Sequence, residues 1–167
     1  MRYAPAALAL SLVVAVTASA GMGTEAQPDP RAAALVAAGR SQLTAGQPAA
    51  AVDSFEAALA IDPGYTAVYL ELGEAARAQG LQGKAIRYYR EALERDSKNL
   101  AALSGEGEAM LEKGAVEKAK RNLAELQSLC GASCSEAQQL AAAIQNHPRQ
   151  PVLTAEAVAP DPIVTQN

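Results

Sequence analysis

The sequence predicts an all-α solenoid of three helical hairpins followed by a C-terminal capping helix. First, residue types recur at a fixed step of 34: Leu35, Gly39, Gly46, Ala51, Phe55 and Ala58, then Tyr69, Gly73, Gly80, Ala85, Tyr89 and Ala92, then Leu103, Gly107, Gly114, Ala119, Leu123 and Leu126. A period of this length, with small residues and aromatics in register, marks an architecture in which each copy is one supersecondary unit stacked on the next. Second, apolar residues within a copy fall 3 or 4 apart, as in Ala51, Val52, Phe55, Ala58 and Leu59, the stripe an amphipathic helix buries. Third, the 167 residues are 50% apolar but hold one Phe and no Trp, so the core of a single short solenoid must be made of Ala and Leu.

Taken in order, residues 1–20 read as a secretory signal peptide. Arg2 supplies the basic end, Ala6 to Val16 the apolar run, and Ala18-Ser19-Ala20 a small-x-small cleavage site, so a cut is expected after Ala20. The apolar run is shorter than the ~18 residues needed to span a bilayer, and no second such segment follows. The mature chain is therefore expected to have no membrane span and to be periplasmic or secreted. Residues 21–31 lack periodicity and read as a flexible lead-in. The repeats follow at 32–65, 66–99 and 100–133. Within the first, Gly46-Gln47-Pro48 separates two helices and Asp62-Pro63-Gly64 ends the second. A seventh, capping helix is expected over 135–145, with Ser135 as its N-cap and Ala137, Leu140, Ala141 and Ile144 on one face. Residues 146–167 carry four prolines and no periodicity and read as a disordered tail.

The glycines at 39, 73 and 107 sit inside helices, where Gly costs about 1 kcal/mol against Ala. Close approach of the paired helix must offset that loss. The expected partners across the contact are Ala51, Ala85 and Ala119, with Phe55, Tyr89 and Leu123 filling the space between consecutive repeats.

This pattern of an aromatic or Leu, a Leu-Gly pair, a Gly turn, an Ala, an aromatic, an Ala and a Pro resembles the tetratricopeptide repeat, and more narrowly its short exported bacterial members. Only the first copy keeps the closing proline, Pro63; Leu126 and Gly131 depart from the pattern in the third. The resemblance implies a right-handed solenoid whose first helices line a concave groove. Carried over copy by copy, the groove would present Arg40 and Leu43, then Leu70, Glu71, Glu74 and Arg77, then Glu108, Leu111 and Glu112. Members that clamp a partner's C-terminal acid use Lys and Asn at set positions. Val36, Arg40, Glu71, Ala101 and Gly105 stand there instead, which argues against that activity. Four Glu against two Arg, with leucines between, suit a protein or peptide segment bearing Lys or Arg and apolar anchors. Reversing Glu74 and Glu108 to Lys is expected to weaken such a partner without touching stability.

Chemistry is sparse. The one His, His147, precedes a proline in the expected tail, and no phosphate-binding loop follows a strand, so catalysis and cofactors are not expected. A net charge of −4 does not suit non-specific nucleic-acid binding. Cys130 and Cys134 read as a structural disulfide in an exported protein, clipping the capping helix onto the third repeat. A loop this short stabilises by about 2 kcal/mol in the chain-entropy account. Two cysteines alone are too few for a metal site. The resulting expectation is a non-catalytic, exported interaction scaffold, of the kind the resemblance links to envelope assembly, secretion or pilus biogenesis. The alternative is a thiol-redox or enzyme-accessory protein that uses the cysteine pair.

Overall fold

Asp29 and Pro30 begin the ordered helical path. The Asp29 carboxylate accepts the Arg31 N–H at 2.8 Å, and Pro30 occupies the first helical position, where a missing N–H costs nothing. In the computed structural model, which describes residues 27–148, seven α-helices follow and no strand occurs among the described residues. They are α1 (Pro30–Thr44), α2 (Pro48–Ile61), α3 (Ala67–Ala78), α4 (Gln82–Arg95), α5 (Leu100–Glu112), α6 (Val116–Cys130) and α7 (Ser135–Asn146). The expected leader, most of the lead-in and nearly all of the expected tail lie outside the described residues.

Each hairpin turns in the same way. Gly46, Gly80 and Gly114 take φ of 72°, 71° and 82°, a left-handed conformation that side chains with a Cβ resist. In all three the residue after the glycine donates back to a carbonyl five residues earlier: Gln47 to Gln42, Leu81 to Ala76 and Ala115 to Met110, at 2.8–2.9 Å. These bonds satisfy carbonyls left open at the helix end and reverse the chain. Paired helices α1–α2, α3–α4 and α5–α6 then stack, with α2 on α3 and α4 on α5, and α7 lies across both α5 and α6. This is the all-α repeat solenoid the period predicts. Among the described residues no helix is long and apolar enough to cross a membrane.

The helix-interior glycines meet different partners from those expected. A Cβ at Gly39 would collide with the Phe55 ring, and one at Gly73 would stand 2.6 Å from the Tyr89 ring. The small contact therefore accommodates the aromatic of the same hairpin rather than an alanine. Tyr89 also presses on the next repeat, since a Cβ at Gly105 would lie 2.5 Å from it. Ala51, Ala85 and Ala119 are fully buried beside these contacts. In the third hairpin Leu123 does not take the aromatic's place and is only half-buried. Gly107 is covered instead by Leu140 of α7, 2.5 Å from where its Cβ would be, with the Cβ of Asn122 at 3.4 Å.

Helix α5 is the spine. Every residue from Ala102 to Leu111 is buried, because α3, α4, α6 and α7 all pack on it. That burial encloses polar groups. Glu106 receives the Arg90 Nε–H at 2.7 Å and the Asn122 side-chain N–H at 2.9 Å, and Asn122 donates also to the Leu103 carbonyl at 3.1 Å. The start of α7 differs from expectation by one residue. Cys134, extended at φ −71° and ψ 152°, is the N-cap and makes no side-chain capping bond. Ser135 is already helical, and its hydroxyl bonds the Glu136 carboxylate at 2.8 Å.

Candidate functional site: the groove across the first helices

Helices α3, α5 and α7 line a concave groove holding a cavity of about 260 Å³. On α3, Leu70, Glu71, Glu74 and Arg77 share a face because they are spaced by three or four residues. Ala101, Ser104, Gly105 and Glu108 do the same on α5. Tyr89 closes the floor from α4, and Glu136 and Gln139 of α7 close one end.

The charged residues expected to meet a partner mostly meet each other. The Arg40 guanidinium pairs with Glu71 at 2.5 Å, joining α1 to α3. Arg77 pairs with Glu108 at 2.6 Å and with Glu112 at 2.5 Å, joining α3 to α5. Gln139 donates to Glu108 at 2.6 Å, joining α7 to α5. Arg40–Glu71, Arg77–Glu108 and Gln139–Glu108 each span 31 residues, so the groove carries a ladder of polar rungs between successive first helices. Glu108 is only 8% exposed, and reversing it would break a shielded pair. The expectation that Glu108 is a surface charge whose reversal spares stability is therefore corrected.

The apolar anchors divide. Leu70 lines the cavity. Leu111, 4% exposed, is part of the α5–α6 core and has no surface to offer. Leu43 packs against the first core cluster, outside the cavity. Arg40 and Glu112 also lie outside the cavity lining and act through their ion pairs.

Three groups take unusual electrostatics from this setting. Burial pushes the Tyr89 phenol up to about 12, against the opposing pull of Arg77. Burial alone would lower Arg77, but Glu112 and Glu108 outweigh it and hold the guanidinium above its ordinary range. Partial burial, and then the like charges of Glu71 and Glu108, push the Glu74 carboxyl above the usual carboxylate range although its outer surface is exposed. Among the described residues Glu74 is the one groove carboxylate on α3 and α5 with neither a salt bridge nor a side-chain hydrogen bond.

Tyr89, Ser104, Glu136 and Gln139 complete the site without having been singled out for it. A signal existed for Gln139: the 34-residue step from Glu71 passes through Gly105 and lands there, so α7 continues the series of first helices. The cysteines lie elsewhere. The sulfurs of Cys130 and Cys134 are within bonding distance, with Cα atoms 5.9 Å apart, and they tie the end of α6 to the start of α7. No group of three or more His, Cys, Asp or Glu residues able to hold a metal occurs among the described residues.

Against known proteins, a family model described as tetratricopeptide repeat matches residues 36–99 and 70–120. No curated protein matches the sequence. Solved structures do. The Sgt2 repeat domain from Aspergillus fumigatus is 22% identical, with a TM-score of 0.64 over 71% of this chain and 80% of its own. The Yersinia enterocolitica type III secretion chaperone SycD, in complex with a peptide of the translocator YopD, is 25% identical, with a TM-score of 0.59 over 68% of this chain and 86% of its own. PcrH, in complex with the chaperone binding region of PopB, is 22% identical, with a TM-score of 0.61 over 71% of this chain and 95% of its own. Between them the two matched segments take in residues 36 to 120, half of the sequence, and the chain belongs to the tetratricopeptide-repeat family.

Proposed function

We propose that this protein is an exported, non-catalytic scaffold that holds an extended segment of a partner protein in its concave groove, with a Lys or Arg of that segment against Glu74. The observation that carries the proposal is Glu74 itself. It sits partly dehydrated, feels the repulsion of Glu71 and Glu108 against the pull of Arg77 and Arg40, and makes no ion pair of its own, while its neighbours' carboxylates are occupied by Arg40 and Arg77. An incoming cation would relieve that repulsion and gain a contact in a partly shielded setting. Leu70 supplies the adjoining apolar surface. Two of the similar structures hold a segment of another protein, a peptide of the translocator YopD in SycD and the chaperone binding region of PopB in PcrH, which supports the peptide-holding role. Export rests on the leader read in residues 1–20, and a place in envelope assembly, secretion or pilus biogenesis is what the resemblance to short exported members of the family implies. The cysteine pair serves in this reading as a clip for α7.

The test compares capture of partners from an envelope extract by wild type, Glu74→Gln and Glu74→Lys. Retention by wild type, loss with Glu74→Lys and partial loss with Glu74→Gln is the expected result. A partner held equally by all three at low salt overturns the groove assignment. Amino-terminal sequencing of the protein recovered from its cell checks the leader: Gly21 is the expected first residue, and an intact Met1 in the membrane fraction contradicts export.

A further inference from the structure

A second notch lies half-way round α5 from the groove. Met110 stands nine residues beyond Ala101, about two and a half turns of helix, so it faces away from the groove residues. Met110, Ile86 and Ala115 form its apolar floor, in a space of about 360 Å³. Arg90, Lys113 and Lys118 stand around it, and no carboxylate is among the residues that line it. Glu106 pairs with Arg90, but it is buried at 6% exposure and occupied by Arg90 Nε and Asn122. Arg90 spends only Nε there; its side chain remains 56% exposed, with two terminal nitrogens turned to no other partner among the described residues. Among the described residues Lys113 and Lys118 make no salt bridge. Gly83, the second residue of α4, also lines the notch, and the Lys113 ammonium is 4.0 Å from where its Cβ would be. First-turn N–H groups such as that of Gly83 have no carbonyl partner within their own helix.

On a chain whose net charge is −4, Lys113 and Lys118, with the exposed end of the Glu106-paired Arg90 beside them, gather around an apolar floor that no carboxylate lines and form a local field of opposite sign. We propose that this notch is a second docking surface, which takes an acidic segment of a partner protein: an aliphatic side chain on Ile86 and Met110, flanked by carboxylates that reach Lys113, Lys118 and Arg90. Charge complementarity sets the class of partner, since a basic or neutral segment gains nothing from the rim. The two surfaces have opposite preferences, so one scaffold can hold a basic segment in the groove and an acidic one behind it.

The probe is the peptide acetyl-Ser-Asp-Leu-Glu-Ser-amide, added to isotope-labelled protein while amide resonances are followed. Shifts confined to Gly83, Ile86, Met110 and Gly114, weakening as salt rises, are expected. Lys113→Glu/Lys118→Glu should weaken binding by about tenfold, from two exposed attractions turned to repulsions, with an unchanged melting curve. Lys113→Gln/Lys118→Gln gives a milder second variant if that pair misfolds, because both side chains are exposed. Several outcomes overturn the proposal: no shifts with millimolar peptide, equal binding of the Asn/Gln version, or shifts in the groove alone. So do notch shifts that depend on protein concentration without peptide, which assign the notch to a second copy. Notch resonances that move when residues 149–167 are removed assign it to the chain's own C-terminal segment and overturn it as well. Glu74→Lys should leave this binding unweakened, which separates its failure from failure of the groove.

Discussion

The first and last hairpins of this solenoid solve the same packing problem with different chemistry. In the first, Gly39 opens a hole that Phe55 of the same hairpin fills, and the surrounding cluster of Ala32, Val36, Val52, Ala58, Val68 and Leu72 is apolar throughout. In the last, Gly107 opens the equivalent hole, but its own hairpin offers only Asn122 and a half-buried Leu123. The filling side chain, Leu140, comes from α7, and a buried polar pair, Glu106 and Asn122, tied to the exposed Arg90, replaces aromatic bulk. The first hairpin carries its own core. The last borrows one, and α7 is thus a working part of the third repeat as well as a cover for its end.

The sharpest way to break that comparison is to truncate the two fillers. Phe55→Ala and Leu140→Ala should each cost heavily, about 3–5 and 2–5 kcal/mol, because each leaves a cavity over a glycine. Their hydrogen-exchange patterns should differ. Leu140→Ala should expose amides of α5 to α7 while α1 and α2 stay protected, and uniform loss of protection across all helices would contradict the borrowed core.

Next in size is the polar ladder. Glu108→Lys should cost about 3 kcal/mol by leaving Arg77 facing a like charge in a shielded site. Glu74→Lys, one repeat earlier at the same position, should cost far less, because no bond is lost there. Equal melting temperatures for the two variants would remove the distinction between the paired and unpaired rungs.

Removing the clip with Cys130→Ser/Cys134→Ser should cost about 2 kcal/mol, read by chemical denaturation of oxidised and reduced protein. The loss should fall on α7 and the third repeat, while affinity for a groove partner survives at temperatures where the variant is folded. Affinity that collapses with the cysteines, and not with Glu74→Lys, would favour the thiol reading instead.

The smallest effect sharpens the middle of the molecule. The Tyr89 phenol is raised to about 12 from an ordinary value of 10.0, so folding favours its protonated form. The stability that follows is complete below pH 10 and fades as pH rises toward 12. Tyr89→Phe should flatten that alkaline decline in a pH series of melting curves, whereas Phe55 can contribute none. For Glu74, also raised, the sign is the same: folding stability falls as pH rises through its titration, so Glu74→Gln should be neutral or stabilising by up to about 0.5 kcal/mol at pH 7 while it weakens the groove partner.

The sequence by itself determined the repeat. Glycines at 46, 80 and 114 must turn the chain, since each takes a left-handed φ, and apolar spacing of three or four residues must bury one face of each helix. Those are local constraints, and a period of 34 writes them three times. Glu71, Glu74, Arg77 and Glu108 were likewise placed on one concave face, because position within a repeat fixes the side of the helix. What a side chain meets once there is not local. Whether Glu108 faces solvent or Arg77, and whether Gly107 is filled by Leu123 or Leu140, depends on residues 31 to 33 positions away whose approach is set by the stacking of whole helices. The same holds for Leu111, which shares its spacing with exposed groove residues but is covered because α5 is packed from four sides. Periodicity names the face of a helix; only the stacked neighbours decide whether that face is groove, floor or core.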